Sequence, residues 1–176
     1  MTIYDPRRRM ALSCAMSSIL LMLSSSSHAQ SNASRPVKLP AIKLSDLAGE
    51  IHDLSSFQGK VLMLNFWATW CPPCRAEMPS IERLHLSMQG KDFVVLRINQ
   101  GESAEKVNSK MGMFSPTPTF PLLVDARSEV GTYFKVNDRP TTLIFNKQGI
   151  LTGVANGARD FASANIRKNI EDLLAQ

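Results

Sequence analysis

Seven residues, Val61-Leu62-Met63-Leu64-Asn65-Phe66-Trp67, form a nearly unbroken apolar run, and four positions further on the chain reads Cys71-Pro72-Pro73-Cys74. An apolar run of this length is expected of a strand buried on both faces. Beyond it, Met78, Ile81, Leu84 and Met88 recur at the spacing of one helical face, which predicts a helix from Pro72 to Met88. Pro72 and Pro73 fall in its first turn, where a missing N–H costs nothing. Phe93-Val94-Val95-Leu96-Arg97-Ile98 reads as the next strand. A buried strand, a cysteine-bearing turn, a helix and a second strand make a βαβ unit, so the fold class is α/β.

The remaining patterns extend this unit. Leu39 to Lys60 holds two short apolar segments around Asp46, Gly49 and Gly59, read as a hairpin and a loop. Glu102 to Met113 fits a helix, which Pro116 and Pro118 prevent from continuing. A strand is expected at Leu122 to Val124 and a short helix near Ser128 to Phe134. Two strands follow at Thr141 to Phe145 and Ile150 to Ala155, joined by an Asn146-Lys147-Gln148-Gly149 turn. Asp160 is placed to cap a last helix whose inner face includes Ile166, Ile170 and Leu173.

The beginning of the chain has a different character. Arg7, Arg8 and Arg9 precede an apolar and small-residue run of 14 residues from Met10 to Leu23, followed by four serines and Ser27-His28-Ala29. This is the order of a secretory signal peptide, and the run is shorter than the ~20 residues of a permanent span. Residues 1–29 are therefore expected to be a cleaved signal, residues 30–36 a tether and residues 37–176 the folded domain. An uncleaved N-terminal membrane anchor is the alternative. Of the net charge of +5, the first 29 residues supply +2, and the 17 basic and 14 acidic residues left give no footing for nucleic-acid binding. Cys14 lies within the signal, so one cysteine pair belongs to the domain.

That pair sits where chemistry is favoured. Helix N-terminal N–H groups and the macrodipole stabilise a thiolate at Cys71, and Cys74 is close enough to attack a mixed disulfide formed there. A Cys-x-x-Cys can also be half of a zinc site, but no second pair exists and His52 and His85 are poorly spaced for one. No cofactor or metal is expected.

The segment Asn65-Phe66-Trp67-Ala68-Thr69-Trp70-Cys71-Pro72-Pro73-Cys74-Arg75-Ala76-Glu77-Met78-Pro79 resembles the active-site stretch of the TlpA/ResA-like thiol-disulfide oxidoreductases, and Arg139-Pro140-Thr141-Thr142-Leu143-Ile144-Phe145 resembles their cis-proline strand. The resemblance implies a thioredoxin-like fold: a central mixed sheet flanked by helices, an N-terminal β-hairpin extension over Leu44 to Lys60 and a central insert over Asn99 to Asp125. It implies an exported, periplasmic or otherwise extracytoplasmic enzyme, usually a reductant of protein disulfides. Apocytochrome c is among the family's substrates, and a membrane electron donor of the DsbD/CcdA type is the expected partner.

Each site residue then has an expected role. Cys71 attacks and Cys74 resolves. Pro72 and Pro73 withhold N–H donors from the Cys71 thiolate, which favours the disulfide form and makes the dithiol a better reductant. Family members carry a glutamate at the position of Glu77, tied to proton handling. Asn65 stands where classical thioredoxins bury a carboxylate, so Glu77 is the nearest proton acceptor for Cys74. Pro140 is expected to be cis and, with Trp70, to face the substrate. Arg139 departs from the small or apolar residue usual before that proline; its charge would disfavour basic substrates or raise thiolate stability, which speaks against a strict apocytochrome assignment. Two other functions compete. A peroxiredoxin-type thiol peroxidase would need Thr-x-x-Cys, whereas Thr69 lies two residues before Cys71. A non-catalytic binding or metal-delivery module would make the cysteine couple incidental.

Overall fold

The structure, a computed structural model, describes residues 36–176. The expected signal peptide and nearly all of the tether lie outside the described residues. A small antiparallel hairpin, β1 (Lys43–Ser45) and β2 (Ile51–Asp53), precedes the main sheet. Asp46 clasps it: the carboxylate accepts from the Ala48 and Glu50 N–H groups and from His52 Nε2, each at 2.9 Å. Asp46, Glu50 and His52 bring one possible ligand atom each within 4.8 Å of one another, and the hydrogen bonds of the clasp account for the placement of Asp46 and His52.

The main sheet contains β3 (Val61–Trp67), β4 (Phe93–Gln100), β5 (Leu122–Asp125), β6 (Thr141–Phe145) and β7 (Leu151–Asn156), in the order β5-β4-β3-β6-β7. β3, β4 and β5 run parallel, whereas β6 and β7 join antiparallel, so the sheet is mixed as expected. The helices are α1 (Pro72–Ser87), α2 (Ala104–Asn108), α3 (Glu129–Tyr133) and α4 (Ala164–Leu174). Among the described residues, no helix is long and apolar enough to cross a membrane.

β3 is buried along its whole length, and its alternation divides the core. Val61, Met63 and Trp67 pack with Met78, Ile81 and Leu84 of α1 and with Ile170 of α4. Leu62, Leu64 and Phe66 point to the other face, with Leu96, Ile98 and Val130. The period of two along β3 and the helical stripe of α1 therefore meet as the sequence requires.

Two expected elements change. The helix predicted over Glu102 to Met113 shrinks to α2, followed by a single 3-10 turn at Met111–Met113. Ser103 caps α2 through its hydroxyl, and Val107 is its only buried residue, so no apolar stripe sustains a longer helix. Asp160 does not cap α4. Its carboxylate accepts from the Ala162 N–H at 3.1 Å in the turn before the helix, and Ser163 takes the N-cap position. Met63, Met78 and Met88 are core residues, as expected, and His85 is half-buried with its ring edge-on to Phe120.

Candidate active site

The turn Ala68-Thr69-Trp70 carries the chain from the carboxyl end of β3 to α1 and is anchored by a residue that sequence patterns did not mark as functional. Glu102, buried just past β4, accepts from the Thr69 N–H and the Thr69 hydroxyl, each at 2.7 Å, from Asn99 Nδ2 at 2.9 Å and from Lys106 Nζ at 3.1 Å. Burial opposes its charge, but these hydrogen bonds outweigh burial and pull the carboxyl down to about 2. Arg75 Nη1 closes the turn from the helix side by donating to the Thr69 carbonyl at 2.9 Å.

Cys71 is the N-cap of α1, in extended backbone, and is joined to Cys74 by a disulfide of 2.02 Å with Cα atoms 5.3 Å apart. Pro72 and Pro73 occupy the first helical positions. The first N–H able to reach the Cys71 Sγ is that of Cys74, at 3.3 Å. Both cysteines are buried, whereas Trp70, 60% exposed, and both prolines are open to solvent. A concealed disulfide thus lies beneath an exposed rim.

β6 begins beside this turn. Thr141 pairs with Phe66, so Arg139 and Pro140 lie at the same end of the sheet as Cys71. The Arg139–Pro140 peptide is cis, and the Pro140 carbonyl accepts from the Gly157 N–H at 2.8 Å. The Arg139 guanidinium lies over the Trp70 ring, 5.5 Å from its centroid. Trp70, Pro72, Pro73, Arg139 and Pro140 therefore gather around the cysteine turn.

Beneath the turn, a polar row crosses the apolar face covered by α1. In register, Thr142 of β6, Asn65 of β3 and Arg97 of β4 stand side by side. Asn65 Nδ2 donates to Thr142 Oγ1 and to Glu77 Oε1, each at 2.8 Å, while its Oδ1 accepts from Arg97 Nε at 2.6 Å. Arg97 Nη2 donates to the Cys74 carbonyl at 3.2 Å and lies 3.7 Å from Glu77 Oε1. The guanidinium also rests 5.0 Å from the Trp67 ring centroid. Glu77 is 3% exposed and Arg97 fully buried, and neither Glu77 Oε2 nor Arg97 Nη1 has a protein partner among the described residues.

Burial pushes the Glu77 carboxyl up, against the Asn65 hydrogen bond, the Arg97 charge and the Arg159 backbone. Burial also lowers Arg97, to about 10, so it remains charged at neutral pH. Beyond Glu77, a cleft of about 400 Å³ lined by Pro79, Ser80, Arg83, Arg159 and Asp160 opens to solvent. The exposed helix carboxylate that spacing alone would allow is instead a buried group between a dry ion pair and a wet cleft.

Arg97 and Glu102 had sequence signals that went unused. A charge inside the apolar strand Phe93-Val94-Val95-Leu96-Arg97-Ile98 requires a buried partner, and Asn65 interrupts the neighbouring run in the same way. Glu102 follows Gly101 at the end of a strand with no phosphate-loop pattern around it, and its carboxylate supports the Thr69 turn.

Comparison with known proteins agrees with this architecture. The sequence pattern of the AhpC/TSA family matches residues 37–154. The thiol-disulfide oxidoreductase ResA of Geobacillus thermodenitrificans is 33% identical over 137 residues, covering 76% of this chain and 75% of that protein. The thioredoxin-like protein YneN of Bacillus subtilis is 38% identical over 120 residues, covering 67% and 69% respectively. Among solved structures, a thiol:disulfide interchange protein of the thioredoxin family from Chlorobium tepidum superposes with a TM-score of 0.67 at 25% identity, over 80% of this chain and 98% of that one.

Proposed function

The chain belongs to the AhpC/TSA family and is a thiol-disulfide oxidoreductase of the ResA type, and from that premise we propose that it is an exported reductase of protein disulfides in which Cys71 attacks, Cys74 resolves and Glu77 accepts the proton of Cys74. The carrying observation is the Cys71–Cys74 disulfide at the start of α1, beneath an exposed rim and one helical turn from a buried carboxyl.

In the dithiol form, the Cys71 thiolate attacks one sulfur of a substrate disulfide. A Cys71–substrate disulfide forms, and the other substrate sulfur leaves as thiolate and takes a proton from water. Cys74 then gives its proton to Glu77, and its sulfur attacks the Cys71 Sγ. The internal disulfide forms as the second substrate sulfur departs with the electron pair and takes up the proton that Glu77 releases. The substrate gains two electrons and two protons, and the enzyme ends oxidised. A membrane dithiol donor of the DsbD/CcdA type restores the dithiol by the same exchange in reverse. The single N–H on Cys71 Sγ, where two prolines remove the others, leaves the thiolate modestly stabilised and favours reduction of substrate.

The substrate chain lies over Trp70, Pro72 and Pro73 and pairs in extended form beside Pro140. Arg139 adds a positive charge to this rim, which favours acidic or neutral sequences around the target cysteines. Apocytochrome c is a substrate of the family, and the Arg139 charge weighs against a strict assignment to it. Residues 1–29 direct export and are removed, and residues 37–176 form the working domain. The Thr69 hydroxyl is bound to Glu102, and Ala68 stands three residues before Cys71, which weighs against peroxidase chemistry.

The test is a Cys74→Ala variant expressed in an envelope and quenched with acid. It should accumulate mixed disulfides through Cys71 to protein partners, and mass spectrometry of the isolated protein should find a start at residue 30 or 34. No captured partner, together with rapid peroxide consumption by the native dithiol, would replace this reading with a peroxidase.

A further inference from the structure

Buried arginines are rare because the charge loses its hydration, so a fully buried guanidinium needs compensating partners. Arg97 stands on the central sheet directly under the first turn of α1. Its Nε is held by Asn65 Oδ1 at 2.6 Å, its Nη2 touches the Cys74 carbonyl at 3.2 Å, and its cationic face meets Trp67. Its one acidic neighbour among the described contacts is Glu77, at 3.7 Å. A residue serving only to fill the core at this point could be apolar, as Val95 is one step earlier on the same face.

We propose that Arg97 is a positioning residue for disulfide exchange: its buried guanidinium, locked beneath the cysteine turn by Asn65 and the Cys74 carbonyl, favours the charged, proton-accepting form of the neighbouring Glu77 carboxyl. This inference rests on the reading of Glu77 as proton acceptor and adds the group that sets its charge state.

The surroundings of Glu77 support the assignment. On its own helix lie Cys74, one turn toward the N-terminus, and Arg83, beyond it along the cleft. From β3 comes the neutral amide of Asn65, and from the chain after β7 come Arg159 and Asp160. Arg83 and Asp160 are exposed and face each other at 3.6 Å, and Arg159 is exposed as well, so water screens all three. Arg97 acts from the dry side, where attraction is little screened. Burial alone disfavours the charged Glu77 carboxylate that can take a proton. Arg97 opposes burial, while its own charge persists through neutral pH.

The experiment follows the reaction of the reduced protein with 5,5′-dithiobis(2-nitrobenzoate) by stopped flow. Attack by Cys71 releases one thionitrobenzoate and leaves a mixed disulfide, and attack by Cys74 on that disulfide releases the second. The pH profile of the second phase reads the resolving step. Arg97→Gln keeps an amide donor but removes the charge, and Arg97→Lys keeps the charge. In Arg97→Gln the acid limb of the second phase should move to higher pH, slowing that phase about tenfold or more at a pH on the limb. The first phase should change by less than about twofold, and Arg97→Lys should restore most of the second. Glu77→Gln should abolish the limb, and adding Arg97→Gln to it should then shift nothing.

If Arg97→Gln is too unstable for kinetics, a carboxyl-carbon NMR titration of Glu77 in the oxidised native protein and in the charge-removing Arg97→Met decides: a carboxyl that titrates alike in both overturns the inference, and one that titrates higher in Arg97→Met supports it. A Glu77→Gln effect with a native profile in Arg97→Gln also overturns it and leaves the Glu77 reading standing. No effect of Glu77→Gln on the profile overturns the Glu77 reading itself.

Discussion

Replacing Glu102 tests whether the acid after β4 supports the turn that carries the cysteines. Its carboxylate takes four hydrogen bonds, two of them from the backbone and side chain of Thr69, with its side chain only 2% exposed. A carboxyl lowered from 4.5 to about 2 on folding contributes at most about 3 kcal/mol above its unfolded pKa. The sign follows from the direction: a depressed carboxyl stabilises fully above about pH 4.5, and that contribution is lost as pH falls toward 2. Glu102→Gln can still accept from the Thr69 N–H and Asn99 but loses the charge and the acceptor for Lys106. Glu102→Ala leaves the Thr69 N–H and the Asn99 amide unpaired. Urea unfolding at pH 7 should show losses of about 1–2 kcal/mol for Gln and about 2–4 kcal/mol for Ala. Repeated between pH 5 and 2.5, the native protein should lose stability more steeply than either variant, by up to one proton. The Ala variant should also react more slowly at Cys71, because its turn is no longer held. Equal stability at pH 7 together with an unchanged acid slope would refute the reasoning.

Other outcomes follow from single contacts. A Cβ on Gly131 would lie 2.0 Å from Gln100 Nε2, a buried side chain, so Gly131→Ala should cost about 1–3 kcal/mol in urea unfolding, partly relieved by Gln100→Ala. Glu82 accepts from the Thr119 N–H at 3.0 Å and the Thr119 hydroxyl at 2.6 Å. Glu82→Ala should destabilise by about 1–3 kcal/mol and expose the segment from Ser115 to Phe120 to proteolysis. Arg139→Ser should raise kcat/KM for basic disulfide peptides relative to acidic ones at low salt, with the difference shrinking at high salt.

Legibility in the sequence followed the strength of the physical signal. β3 and α1 carry long periodic patterns whose burial leaves one solution, and the residues read as their core are the core. The turn at Asn146-Lys147-Gln148-Gly149 was readable because its chemistry is local: Asn146 Oδ1 accepts from the Gln148 and Ile150 N–H groups, and Gly149 takes a positive φ. α2 is shorter than its pattern predicts because propensity without an apolar face does not lengthen a helix. Asp160 does not cap α4 because a cap is set by backbone geometry, and Ser163 holds the extended conformation at the helix start.

The cysteines, Glu77 and the rim were visible as motif residues. Burial of Glu77 was not, because it depends on Asn65 and Arg97, which are 12 and 20 positions away and meet it only through strand register. A polar residue within an apolar strand is a signal only when its partner across the sheet is known. Asn65 and Arg97, each read alone, looked like tolerated exceptions, and in register they form one row.

The central claim is that Cys71 and Cys74 form a reversible couple poised to reduce. It is tested most directly by equilibrating the protein in thiol–disulfide buffers of known potential, quenching with acid and counting alkylated cysteines by mass. A two-electron transition involving Cys71 and Cys74 together is expected, nearer the about −270 mV of thioredoxin than the about −120 mV of a strong periplasmic oxidant. A midpoint near that oxidant, or cysteines that do not titrate as a pair, would contradict it.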